Sequence, residues 1–229
     1  MAKLRGMPEI GEVRMAFDLQ RVDQGAPETS GRLGGVQIGW PRWTMKLDMT
    51  TLTFAQADRL RAWARRLRGQ QRRFLGRDTW RPYPIAHAGG FRNMLRVGGG
   101  AFDGTAGGWS DSLDSDGDCF LTLEDVPSGL ILTNGDYIGF KWESVEGEGY
   151  DRFALVTVDD DEPARADETG SITVEISPVL PAMVPVGAIA YLNAPVCLMK
   201  LAEGTQMPAN ERGFAESGSV IAAVQVLEE

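Results

Sequence analysis

The chain has 229 residues, a formal net charge of −9 and ordinary globular proportions of hydrophobic (43%) and charged (24%) residues, and its 28 glycines favour turns and β architecture. This length suffices for a sizeable core, in one large β-rich domain or two small ones. No apolar run of about 18 residues occurs and no apolar leader follows the N-terminus, so we expect no membrane span, no signal peptide and synthesis in the cytoplasm.

Two stretches near the N-terminus alternate between apolar and polar side chains. They cover residues 12–20 and 43–52, with a Gly/Pro/Ser/Thr-rich loop expected at 24–35. The apolar residues are Val13, Met15, Phe17 and Leu19 in the first stretch, and Trp43, Met45, Leu47 and Met49 in the second. A period of two is typical of half-buried strands, and these two strands are able to pair.

One convincing helix follows, over residues 54–68. Thr53 and Gln56 have the spacing of a capping box, in which each side chain accepts a hydrogen bond from a backbone N–H group of the first turn. The apolar residues recur at steps of three and four, which predicts one buried stripe. They are Phe54, Ala57, Leu60, Ala64 and Leu67, with Trp63 widening the stripe. Gly69 is well placed to end the helix.

The rest of the chain has the pattern of a β protein. Short strand-like runs separated by Gly-rich turns fill residues 88–182, which predicts a small β-sandwich or OB-like barrel. Apolar strands return near the C-terminus, and we expect the last one to pair with the N-terminal strands. The predicted fold is therefore mainly β with one prominent α-helix. Residues 1–87 and 183–229 form a discontinuous domain, and 88–182 form an inserted domain.

Candidate chemical sites are weak. Two cysteines, Cys119 and Cys197, are too few for a disulfide framework or a thiolate metal site, so buried thiols are expected. Residues 114–125 resemble a calcium loop, but Cys119 stands where the sharp turn requires glycine, which favours an acidic hairpin. His87 is the single histidine and lacks a nucleophile motif around it. We expect no catalytic residues, metal or cofactor.

The most unusual feature is a concentration of arginine. Residues 58–81 contain nine arginines and two aspartates, a local charge of +7, which leaves −16 for the remainder. That acidic remainder disfavours nucleic acid, since it would repel the same phosphates. A solvated helix face and a membrane surface are alternatives, but arginine without lysine is typical of a protein interface. The candidate interface residues are Arg61, Arg65, Arg66, Arg68, Arg72 and Arg73.

The order of these elements resembles a known family of tail proteins. The pieces that carry the resemblance are Leu67-Arg68-Gly69 with Phe74, then Gly135-Asp136-Tyr137, and residues 170–178 with Leu180. With two strands before the helix and a final strand after residues 190–201, this layout is similar to distal tail proteins of long, non-contractile-tailed bacteriophages and related gene transfer agents. The resemblance covers nearly the whole chain by pattern, without a diagnostic signature.

The resemblance implies a fold and a role. A belt domain containing the helix would close into a ring, hexameric in the family, at the end of the tail tube, and an OB-like or lectin-like domain would lie outside it. The partners would be further copies, the tail tube protein and the tail-tip hub protein, with location at the virion tail tip. We then expect Arg61, Arg65 and Arg68 to face a neighbouring subunit or the tube, while Phe54, Leu60 and Leu67 pack inward.

Two other functions compete with this interpretation. A carbohydrate- or cell-surface-binding module would use aromatic rings of the inserted domain as stacking platforms for sugars. The candidate residues are Trp109, Trp142 and Tyr150. A nucleic-acid-binding protein would use the arginine helix, although no sequence-specific recognition motif is present. Measurements of ring assembly, glycan binding and salt-sensitive DNA retention distinguish these three functions.

Overall fold

We determined the architecture from a computed structural model, which describes residues 4–8, 13–27, 33–144, 149–215 and 220–227. Over these residues the protein is mainly β with one α-helix, α1, which confirms the predicted fold class. The chain divides into two compact units. The discontinuous unit comprises Leu4–Gly76 and Met199–Leu227, and the contiguous unit comprises Arg77–Leu198.

The discontinuous unit is built on a five-stranded sheet of order β1-β2-β13-β12-β3. Its strands are β1 (Val13–Pro27), β2 (Leu33–Met49), β3 (Phe74–Gly76), β12 (Cys197–Leu201) and β13 (Val220–Gln225). The expected pairing of the last strand with the N-terminal strands is confirmed, since β13 runs antiparallel to β2 from Val220 opposite Asp48 to Val224 opposite Thr44. The alternation in β2 buries Trp43, Met45, Leu47 and Met49 on one face.

The strands β1 and β2 extend well past the rest of this sheet. Much of the segment expected to be a loop is strand, and the ladder continues to Pro27 opposite Leu33. Since β13 reaches only Thr44, residues 33–42 of β2 pair with β1 alone among the described strands. Ten residues of strand span roughly 33 Å. We call this two-stranded extension, residues 20–27 and 33–42, the β-arm.

Helix α1 spans Phe54–Leu67 in the discontinuous unit. The predicted capping box is present, with the Gln56 backbone N–H donating to the Thr53 hydroxyl and the Thr53 backbone N–H donating to the Gln56 side chain. The helix ends one residue earlier than expected, because Arg68 already adopts a left-handed conformation with φ of 52°. Ala57, Leu60, Trp63 and Leu67 are buried, and the Trp63 ring packs edge-on against Phe74.

Phe54 is an exception to the predicted buried stripe. Its side chain is 44% exposed, so the expectation that it packs inward is wrong. The residue is the first of the helix, where only one turn of neighbours is available to cover it, and the stripe begins one turn later at Ala57.

The contiguous unit contains a six-stranded antiparallel sheet of order β11-β7-β8-β10-β5-β4 and a two-stranded sheet of β6 and β9. The strands are β4 (Gly108–Leu113), β5 (Cys119–Glu124), β6 (Ile131–Leu132), β7 (Tyr137–Trp142), β8 (Arg152–Val158), β9 (Ala164–Arg165), β10 (Ile172–Ser177) and β11 (Ile189–Tyr191). Its outermost strands approach one another, because Thr105 bridges Tyr191 and the Ala106 N–H donates to the Ala190 carbonyl. The sheet therefore curls back on itself around a buried core.

This unit is larger than the inserted domain expected at 88–182. On the N-terminal side, the Ile85 N–H donates to the buried Asp136 carboxylate. On the C-terminal side, Ala188, Ala190 and Leu192 belong to the same buried core. The expected boundaries at 87/88 and 182/183 therefore lie inside the contiguous unit, because flanking segments that look like linkers complete its packing.

Both cysteines are free and buried, as predicted. Burial raises the pKa of the Cys197 thiol well above its ordinary value. Across the described part of the chain, no helix combines the length and apolarity that a bilayer crossing requires.

Candidate functional site

The arginine-rich helix end is the first candidate surface. Arg65 and Arg66 lie in the last turn of α1 and Arg68 caps it, where positive charge complements the carbonyl end of the helix. All three side chains are exposed. None of them forms an ion pair with a carboxylate among the described residues. These three arginines match the surface position expected for an interface.

Arg61 occupies a different environment. Its guanidinium donates to the Pro208 carbonyl and to the Asn210 side chain, and it forms a 2.9 Å ion pair with Asp58 one turn earlier. Arg61 therefore fastens the helix to residues 208–210 of its own chain. The sequence predicts that Arg61 faces a neighbouring subunit or the tube; in the structure it contacts residues 147 and 149 positions away in its own chain.

The remaining candidate arginines follow the helix. Arg72 is half-buried and donates to the Arg66 carbonyl at 3.2 Å, which closes the turn after α1. Arg73 is half-buried beside the first residue of β3. The six predicted residues thus form three groups. Arg61 and Arg72 make contacts within their own chain, and Arg73 is partly covered. The third group is the three exposed arginines of the helix end.

A groove of about 610 Å³ lies beside this helix end, within the discontinuous unit. Arg61, Ala64 and Arg65 form its helix side, and the residues after β12 form the opposite side. Most of its surface is apolar, contributed by side chains such as Leu201, Ala202 and Met207. We call it the α1 groove. Sequence reasoning missed it because its two sides are distant in the chain.

The aromatic candidates of the contiguous unit do not form one stacking platform. The Trp109 indole packs edge-on against Phe140 with 5.0 Å between centroids, and its N–H donates to the Ala188 carbonyl at 2.6 Å. Trp142 also packs against the core. Tyr150 is exposed and covers the Lys141 ammonium at 4.9 Å. Lys141 and Trp142 are adjacent in β7, and adjacent residues of a strand point to opposite faces. Tyr150, which covers Lys141, therefore lies on the other side of β7 from Trp142.

A buried polar network organises the segment around Gly135-Asp136-Tyr137. The Asp136 carboxylate accepts hydrogen bonds from the backbone N–H groups of Ile85 and Thr133, both at 2.8 Å, and from the Thr133 hydroxyl. Arg81 lies 3.5 Å from the same carboxylate and donates to the Gly135 carbonyl. Three of these hydrogen bonds hold backbone groups, those of Ile85, Thr133 and Gly135, in place. The turn sequence before Tyr137 was the only sequence signal of this network.

His87 belongs to this region instead of a catalytic site. Its Nε2 accepts a hydrogen bond from the Ile131 backbone N–H at 3.0 Å, which requires the neutral ring. Partial burial lowers the pKa of His87 below its ordinary value, while the nearby Asp136 carboxylate opposes that shift. The histidine therefore links residue 87 to strand β6.

This bond predicts a pH-dependent stability. The unfolded chain takes up a proton near pH 6.5 and the folded chain only at lower pH, so the stability that His87 contributes is complete above pH 6.5 and falls as the pH drops. We expect the unfolding free energy of wild type to decrease between pH 7.5 and 5.5 more steeply than that of H87Q. Urea titrations at both pH values measure the difference, and equal slopes would exclude this role. With one histidine in the chain, no other imidazole contributes.

The calcium-like pattern forms the turn between β4 and β5. The Asp114 carboxylate accepts the backbone N–H groups of Asp116 and Asp118, both at 2.9 Å, and Gly117 adopts φ of 92°. The two hydrogen bonds that Asp114 accepts therefore organise a hairpin turn. Within the described ranges, no three His, Cys, Asp or Glu side chains come together as metal ligands.

The β-arm carries an apolar surface that was not anticipated. Val36, Ile38 and Trp40 of β2 have exposures of 67%, 61% and 41%. The register between β1 and β2 shifts in this stretch, so the regular alternation of faces is interrupted here. The loop expected at 24–35 ended just before these residues, which were assigned to no element. A scan against protein-family models and a search of curated proteins each returned no match.

Proposed function

We propose that this chain is a structural subunit of a bacteriophage tail, in which copies assemble into a closed ring. The ring is the distal tail ring between the tail tube and the tail-tip hub, with six copies, the number in the family that the chain resembles. The discontinuous unit serves as the belt and the contiguous unit as an OB-like peripheral domain. The layout of elements that resembles distal tail proteins supports this assignment.

The β-arm is the observation that carries the proposal. An isolated two-stranded ribbon is at best marginally stable in water, and this one exposes Val36, Ile38 and Trp40. Packing these side chains against an adjacent subunit removes their apolar surface from water, which favours association. A ring subunit needs such an element, since each copy must reach a neighbour.

Charge agrees with the same role. The helix-end arginines Arg65, Arg66 and Arg68 are exposed, as an interface with an acidic neighbour requires. The chain as a whole carries −9, which suits a conduit for DNA because like charge reduces adhesion of phosphates to its wall.

Replacing Ile38 with lysine tests the assembly role of the β-arm. We expect I38K to fold normally, because the side chain is already 61% exposed, and to lower subunit association at least tenfold by placing a charge in an apolar contact. Negative-stain electron microscopy and sedimentation velocity measure ring content. V186K is the matched control, since Val186 is 87% exposed in the contiguous unit. Equal ring content in I38K and wild type would contradict the proposal.

A further inference from the structure

One arginine that lines the α1 groove has a charge that no carboxylate among the described residues compensates. Arg61 is paired with Asp58, and Glu203 lies on the side opposite the helix. Arg65 lines the groove, is exposed, and has no carboxylate partner among the described residues. Between these charged residues the groove surface is mostly apolar. A fitting occupant therefore combines an apolar side chain with negative charge placed to meet Arg65.

The turn between β4 and β5 has this combination. Leu113 ends β4 and is 62% exposed, and the turn that follows presents Asp114, Asp116 and Asp118. Asp114 holds the turn through two backbone hydrogen bonds, which leaves the other two carboxylates directed to their surroundings. No arginine or lysine within the described ranges forms an ion pair with any of the three. We call residues 113–118 the acidic tip.

More negative charge lies close to the acidic tip. Glu175 has a raised pKa, first from burial and then from repulsion by carboxylates that include Asp118, Asp159, Asp160 and Asp114. The repulsion places these carboxylates near Glu175. This end of the contiguous unit is therefore complementary in charge to the helix end of the discontinuous unit.

We propose that the acidic tip of one copy docks in the α1 groove of a second copy. Leu113 enters between the apolar walls formed by Ala64, Ala202 and Met207, and Asp116 and Asp118 face Arg65. The two surfaces differ, so the contact is heterologous, and its repetition propagates from copy to copy until a ring closes. This inference rests on the proposed ring function and names the surfaces that join its subunits.

Two single variants separate the two sides of the contact. R65E reverses the charge of the groove and keeps the acidic tip, while L113K disables the tip and keeps the groove. We expect each to lower association at least tenfold in sedimentation velocity. R66E is the matched control for the groove, since Arg66 is exposed in the same helical turn without lining it. L95K is the control for the tip, because Leu95 is 64% exposed elsewhere in the same unit.

Mixing R65E with L113K gives the sharpest result. Each variant retains the half that the other lacks, so a heterologous contact yields one-to-one heterodimers that cannot grow further through this contact. A charge exchange within one chain, R65E with D116R, is expected to restore association. These outcomes support docking of the acidic tip in the groove.

Other outcomes separate this inference from the ring proposal. Rings that persist in R65E and L113K but disappear in I38K overturn the docking and leave the ring function standing. Heterodimers from the mixture, without rings in wild type at any concentration, support the docking and refute the ring. A mixture that stays monomeric, with wild type monomeric as well, overturns both.

Discussion

Asp136→Ala is expected to lower the unfolding free energy of the contiguous unit by roughly 3–5 kcal/mol, the range for breaking a buried charged network. The residue is 1% exposed, so water cannot replace its bonds without local opening. The substitution leaves two backbone N–H groups, those of Ile85 and Thr133, without their carboxylate acceptor. It also removes the acid beside the Arg81 guanidinium, whose Nε is already buried without a partner in the described structure.

Urea denaturation read by hydrogen exchange in β7 and β8 measures this loss. D136N is expected to have an intermediate unfolding free energy. The amide oxygen of the new asparagine still accepts one of the two sets of hydrogen bonds, but its NH₂ group faces a donor. The exposed Asp116 supplies the matched control in D116A. Equal stabilities of D136A and D116A would show that the network does not hold the fold.

Gly170→Ala is the second substitution with a large expected effect, about 2–4 kcal/mol of destabilisation. Gly170 has φ of 77°, where side chains with a Cβ are strained. An ideal Cβ there would lie 2.5 Å from the Val126 carbonyl oxygen and 2.9 Å from Val97 Cγ2. The backbone cannot retreat freely, because the Gly170 carbonyl accepts the Val126 N–H at 3.0 Å.

Gly117→Ala separates the two causes. Gly117 has φ of 92° in the β4–β5 turn, and an added Cβ meets nothing within 4 Å. We expect G117A to cost about 1 kcal/mol from backbone strain alone. The difference between G170A and G117A in urea denaturation measures the steric term. A difference near zero would mean that the Val126 loop moves aside at no cost.

Local sequence was sufficient for several elements. The capping box of Thr53 and Gln56 predicted the start of α1 correctly, because both partners lie within one turn. The alternation around Trp43 and Met45 identified a strand and its buried face, since a period of two places side chains by geometry alone. The mainly β class followed from many such short signals.

Other predictions failed or fell short where distant residues decide the outcome. Arg61 looked like the other helix arginines, but Pro208 and Asn210 reach it from the far end of the chain. The flanks of the inserted domain looked like linkers, yet Ile85 bonds to Asp136 and Ala188 joins the core. Residues 24–27 and 33–35 of the β-arm were expected to belong to a loop because glycine lowers strand propensity, but cross-strand pairing between β1 and β2 extends the ladder through them.

The sequence by itself determined the helix, the alternating strands and the concentration of arginine, because each depends on neighbours a few residues apart. Only the tertiary structure decided which arginines remain exposed, that an apolar groove lies beside Arg65, and that Val36, Ile38 and Trp40 lie on a projecting ribbon. The physical reason is that burial and charge compensation are set by whichever segments fold alongside. For Arg61 and for the α1 groove, those segments come from residues 201–210, more than a hundred positions away.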